Sequence, residues 1–173
     1  MIVRAFTVCL LGLLSSITQA ESRTLDWLDL VPQSQVNEVL AERNANYHDL
    51  ANMTEQMIQE AKDRMNGLQI SPQLVTELDQ QQVRIPGYVV PLEFDDTQVI
   101  REFLLVPYFG ACIHVPPPPA NQIIYVRYPE GLEADELFDP FWIEGKLSIQ
   151  GYESDLGMAG YSMTADEVSL YSY

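Results

Sequence analysis

The sequence predicts an α+β protein, mainly β: a small five-stranded OB-like barrel preceded by one or two N-terminal helices. Three observations lead there. Between Ser34 and about Met65 the apolar residues recur at helical spacing. From Val83 onward the pattern changes to short runs rich in Val, Ile, Tyr and Phe, separated by turn residues. Five such runs fit into the roughly 90 residues that remain, a density that suits a small closed or partly closed barrel. A small sandwich is the alternative, because strand order is not written in periodicity.

The elements follow in chain order. Residues 1–20 have the anatomy of a secretory leader: Arg4 in a short basic start, an apolar stretch from Ala5 to Leu14, and small or polar residues up to Ala20. Cleavage near Ala20 makes Glu21 the first mature residue. The apolar run is shorter than the ~20 residues a spanning helix needs, and no later segment is long enough either, so the mature chain is expected not to insert in a membrane. Residues 21–82 form an arm and helices. Thr24–Pro32, TLDWLDLVP, reads as an arm docking through Trp27 and Leu30. The helical stripe runs through Val36, Val39, Leu40, Tyr47, Leu50, Met53, Met57, Ile58, Ala61 and Met65, and Gly67 supplies a stop. Its methionines read as core packing and His48 as a surface or capping side chain. Residues 83–173 form the barrel, with strands near Val83–Phe94, Glu102–Tyr108, Gln122–Tyr128, Phe141–Gln150 and Tyr161–Tyr171. Gly87 and Gly145 mark places where a strand can bend.

Charge narrows the function classes. The chain has 25 acidic and 9 basic residues, and loss of Arg4 with the leader leaves 25 against 8, a net charge of −17. That balance opposes binding to nucleic acid and to anionic lipid surfaces.

The segment with the most chemistry is Phe103–Gln122, FLLVPYFGACIHVPPPPANQ. On an extended chain Cys112 and His114, two residues apart, face the same side, and thiolate and imidazole are preferred zinc ligands. Pro116, Pro117, Pro118 and Pro119 follow, stiffening the exit and removing backbone donors. Once Cys9 leaves with the leader, Cys112 is the sole thiol, so no internal disulfide forms. Burial of Cys112 as a small apolar group, with His114 bonded to a backbone carbonyl, is the purely structural alternative. Two ligands are too few for zinc, which normally takes four, so carboxylates, water, His48 or a partner chain must complete the shell. With strands alternating in direction, the second and fourth end on the same side, which makes Glu153 and Asp155 the nearest carboxylates to the pair. Glu93, Asp95, Asp96 and Asp139 are expected at the opposite end.

The stretches LDWLDLVP (Leu25–Pro32), VRIPGYVVPLEF (Val83–Phe94), EFLLVPYFGACIHVPPPPANQIIYV (Glu102–Val126) and WIEGKL (Trp142–Leu147) resemble the bacterial family known as domain of unknown function 3299. The similarity covers nearly the whole mature chain, and Cys112 and His114 match the family motif. The resemblance implies an exported periplasmic protein, associated with an ABC transporter of the MacB type, with a role in metal supply, zinc first.

Two functions are thereby expected. One is a periplasmic zinc-binding accessory protein, partnered by an ABC transporter component or another periplasmic metal-binding protein, with Cys112, His114, Glu153 and Asp155 as ligands. The other is a metal-free docking module that uses the Pro116–Pro119 run with Tyr108 and Phe109 as exposed aromatics. An enzyme is not expected: the chain has no G-x-S-x-G elbow, phosphate-binding glycine loop or H-E-x-x-H motif, and one cysteine runs no dithiol cycle.

Overall fold

A computed structural model describes residues 22–37, 39–41, 73–93, 99–111, 118–133 and 137–172. Eight strands occur there: β1 (Arg23–Thr24), β2 (Gln82–Pro91), β3 (Val99–Val106), β4 (Ile124–Glu133), β5 (Phe141–Ser148), β6 (Tyr152–Ser154), β7 (Gly157–Ala159) and β8 (Tyr161–Leu170). The sheet runs β1-β2-β3-β4-β8-β5 and closes through a β2–β5 pairing, giving a five-stranded mixed barrel with β1 added alongside β2. The expected OB-like barrel is therefore present, and each of its five strands overlaps an expected run.

Period-2 alternation sets the interior. Val83, Ile85 and Val89 of β2, Phe103 and Leu105 of β3, Ile124 and Val126 of β4, Phe141, Ile143 and Leu147 of β5, and Tyr161 and Met163 of β8 share one buried core. The intervening side chains Val90, Leu104 and Val106 point outward, yet they too are buried, in a second cluster with Tyr108, Ala111, Ile123 and Ala159. This outer cluster is the base on which the segment after β3 and the β6–β7 hairpin rest.

Strand β2 is shared lengthwise between two partners. Its first half, Gln82–Gly87, pairs antiparallel with β5, and its second half, Tyr88–Pro91, pairs antiparallel with β3. The changeover falls at Gly87, where a Cβ would come within 2.8 Å of Leu105 Cγ and 2.9 Å of Trp27 Cζ2. Gly145 lies at the other expected bend, beside the register shift between β5 and β8.

The arm is part of the barrel's packing. Trp27, Leu30 and Leu78 belong to the same core as the strands. The Trp27 indole N–H donates to the Pro86 carbonyl at 2.6 Å. Asp26 caps the 3-10 turn Trp27–Leu30, its carboxylate accepting from the Leu28 N–H, while Asp29 accepts from the Asp26 N–H. The Tyr161 hydroxyl accepts from the Val75 N–H at 2.7 Å and donates to the Leu30 carbonyl at 2.9 Å, joining three segments at one buried oxygen. Helical backbone begins at residues 36 and 37 and continues at 39–41, with the Val39 N–H on the Gln35 carbonyl. The remainder of the expected helical region, with Met53, Met57, Met65 and His48, lies outside the described residues. No helix among the described residues is long and apolar enough to cross a membrane.

Candidate functional site

The connection from β3 to β4 leaves the barrel at Val106 and returns at Ile124. Cys112, His114, Pro116 and Pro117 lie outside the described residues, whereas both ends of this connection are placed. Ala111, immediately before Cys112, is buried with Ala159 of β7 in the outer cluster. Pro118 is buried and Pro119 half-buried, and Pro119 leads into the 3-10 turn Ala120–Gln122. The fixed φ of proline, −55° at Pro119, suits entry to such a turn.

Two buried amides tie the returning end to the N-terminal arm. Asn121 Nδ2 donates to the Gln73 carbonyl and to Gln35 Oε1, both at 3.3 Å. Gln122 Nε2 donates to the Trp27 carbonyl at 2.7 Å. Their oxygens, Asn121 Oδ1 and Gln122 Oε1, are buried and accept no hydrogen bond among the described residues.

The β6–β7 hairpin lies at the same end of the barrel as this connection. Strands β3 and β5 each run antiparallel to β2, so the segments following them leave in the same direction. The Gly160 N–H donates to the Ala120 carbonyl at 2.7 Å, tying the exit of β7 to the connection. Tyr152 of β6 stacks on Tyr125 of β4, with ring centroids 3.9 Å apart and planes 8° from parallel. Glu153 follows Tyr152 on the opposite face of β6 and is exposed, and Asp155 stands exposed in the turn. Ser154 Oγ donates to the Gly157 carbonyl and accepts from the Leu156 N–H, which fixes that turn. The expected placement of both carboxylates on the side of the Cys-x-His connection is thus what the topology gives. No group of three or more His, Cys, Asp or Glu side chains able to hold a metal ion occurs among the described residues, a set without Cys112 and His114.

Beneath the hairpin, Tyr125 shares its hydroxyl with Glu102 and Arg127, which pair at 3.5 Å. Burial first, then the hydrogen bond to Glu102, raises the Tyr125 phenol above its ordinary range.

Two expectations need correction. Tyr108, expected exposed, is buried at 7 % exposure, because it fills the outer cluster under the connection. Asp139 was expected at the far end of the barrel, yet it follows Phe138, whose ring lies 5.9 Å from that of Phe109 at the start of the connection. The cause is the division of β2: Val106 at the end of β3 pairs with Tyr88, and Phe141 at the start of β5 pairs with Gly87. The end of one strand and the beginning of the other therefore meet. Phe109 is exposed as expected, at 56 %. Tyr88 and Phe138, which meet Phe109 across this seam, were missed; an exposed aromatic within an acidic turn gives little periodic signal.

Comparison with known proteins agrees with the sequence resemblance. The family model described as a protein of unknown function, DUF3299, matches residues 27–170. The structure is similar to the crystal structure of a DUF3299 family protein from Pseudomonas aeruginosa PAO1, with a TM-score of 0.68 and 36% sequence identity over 88% of this chain and 98% of that one. No curated protein matches. With most of its length, barrel and connection included, inside the family match, the chain belongs to the DUF3299 family.

Proposed function

We propose that this is an exported, periplasmic zinc-binding accessory protein whose metal is held at Cys112 and His114. In this reading it serves zinc supply as cargo carrier or reporter, with an ABC transporter component or another periplasmic metal-binding protein as partner. The observation that carries the reading is the joining of the β6–β7 hairpin, with exposed Glu153 and Asp155, to both ends of the connection bearing the Cys-x-His pair. The links are the buried cluster that Ala111 and Ala159 share and the Gly160–Ala120 hydrogen bond. A thiolate, an imidazole and one or two carboxylates form a donor set suited to zinc. Carboxylate or water positions in the shell allow exchange more readily than a closed thiolate set. The acidic surface favours approach of cations, though only within the ~8 Å screening length of physiological salt.

The polyproline docking alternative has weaker support. Pro118 and Tyr108 are buried, so the run does not present both to a partner.

Calorimetric titration of zinc into the reduced mature protein tests the proposal. Stoichiometric binding that is lost in Cys112→Ala and His114→Ala supports it. Binding unaltered by both substitutions removes the site, and no binding by the wild type removes the metal function.

A further inference from the structure

The seam on β2 carries an aromatic surface that the zinc reading does not use. Tyr88 and Phe109 meet edge to face with centroids 5.9 Å apart, and Phe109 and Phe138 meet tilted at the same separation. Phe109 is 56 % exposed and Phe138 78 %. Large aromatics left this open and in mutual contact are more informative than scattered apolar residues. Phe138 contributes nothing to the barrel core, which its neighbour Leu137 joins instead. The charge around it has one sign by sequence: Asp139, exposed, follows Phe138 directly, and the chain carries 25 acidic against 9 basic residues.

We infer that the Tyr88–Phe109–Phe138 patch is a docking surface for a folded protein presenting an apolar pocket rimmed by Lys and Arg. The rings supply the desolvated anchor, and Asp139 with the net negative charge of the chain supplies the orientation, the usual division between an interface centre and its charged surroundings. Charge selects this occupant over the others. A second copy brings a chain of net charge −16 against another of the same charge, and an anionic lipid surface repels it for the same reason. The inference stands apart from zinc binding, since none of Tyr88, Phe109 and Phe138 is a proposed ligand.

Photo-crosslinking tests it, with benzoylphenylalanine at position 138 of the full chain, exported in its native cell. The adduct is identified by mass spectrometry, and that protein is then purified and titrated with wild type, Phe109→Ser, Phe138→Ser and Asp139→Asn. The expected adduct is a heterologous protein joined at a peptide flanked by Lys or Arg. Its binding is expected to weaken about tenfold or more in each Phe variant and to fall as salt is raised. Phe138 is exposed, so its variant should keep the wild-type melting temperature, which separates lost docking from lost folding. A self-adduct, a lipid adduct, no adduct, or a partner whose affinity ignores both Phe substitutions overturns the inference.

Discussion

Gly160 donates its backbone N–H to the carbonyl oxygen of Ala120 at 2.7 Å, and this hydrogen bond joins the end of the β6–β7 hairpin to the connection carrying Cys112 and His114. The approach is close because residue 160 has no side chain. A Cβ there would lie 2.7 Å from Leu74 Cδ2 and 2.9 Å from the Ala120 oxygen. The flexible leucine can yield, whereas the backbone carbonyl cannot do so without moving the connection.

Gly160→Ala is therefore expected to destabilise the fold by about 1–3 kcal/mol, the range for forced overpacking, and to weaken zinc binding. Gly151→Ala is the control, since its Cβ would meet only the Ala159 oxygen at an ordinary 3.6 Å. Urea unfolding of the two variants side by side checks the difference; equal stabilities contradict the packing argument.

Tyr161→Phe removes the hydroxyl that accepts from Val75 and donates to Leu30. Leaving buried backbone partners unmet should cost about 1–3 kcal/mol at neutral pH. The same residue sets an alkaline limit. Burial raises the Tyr161 phenol above its ordinary value of 10.0, so the folded protein holds this proton more tightly than the unfolded chain does. The resulting stability is fully present below pH 10.0 and is lost as pH rises above it toward the folded-state value. Burial raises Tyr125 and Tyr128 in the same direction. Unfolding free energy measured at about pH 9 and about pH 11 should fall in the wild type and fall less in Tyr161→Phe. Equal slopes would place the alkaline sensitivity elsewhere.

Glu153→Gln with Asp155→Asn is expected to lower zinc affinity about tenfold while leaving the melting temperature unchanged, because both side chains are exposed. Unaltered affinity in this double variant means that water, His48 or a partner chain completes the shell in place of the hairpin.

Much of this architecture is legible in the sequence where burial imposes a period. The alternation of Val83, Ile85 and Val89, or of Phe141, Ile143 and Leu147, marks inward faces directly. Trp27 and Leu30 also announce their docking, being large apolar residues in an otherwise acidic arm. The parallel pairing of β4 with β8 is not legible, because it follows from barrel closure between strands that are not neighbours in sequence. Nor is the β6–β7 hairpin. Strands of three residues carry no period, and the hairpin is held by contacts to distant partners, the Tyr152–Tyr125 stack and the Ala120 carbonyl. The role of Gln122 was hidden for a similar reason: a buried polar residue is explained only by its partner, the Trp27 carbonyl 95 positions away. At the site, the Cys-x-His spacing and the two hairpin carboxylates follow from sequence and alternating strand direction. The aromatic seam at Gly87–Tyr88 required the observed division of β2 between β3 and β5.

X-ray absorption at the zinc edge of the reduced, zinc-loaded mature protein tests the central claim most directly. The account predicts one sulfur neighbour at about 2.3 Å among nitrogen and oxygen neighbours at about 2.0 Å, with the sulfur absent in Cys112→Ala. A shell of nitrogen and oxygen alone in the wild type contradicts it.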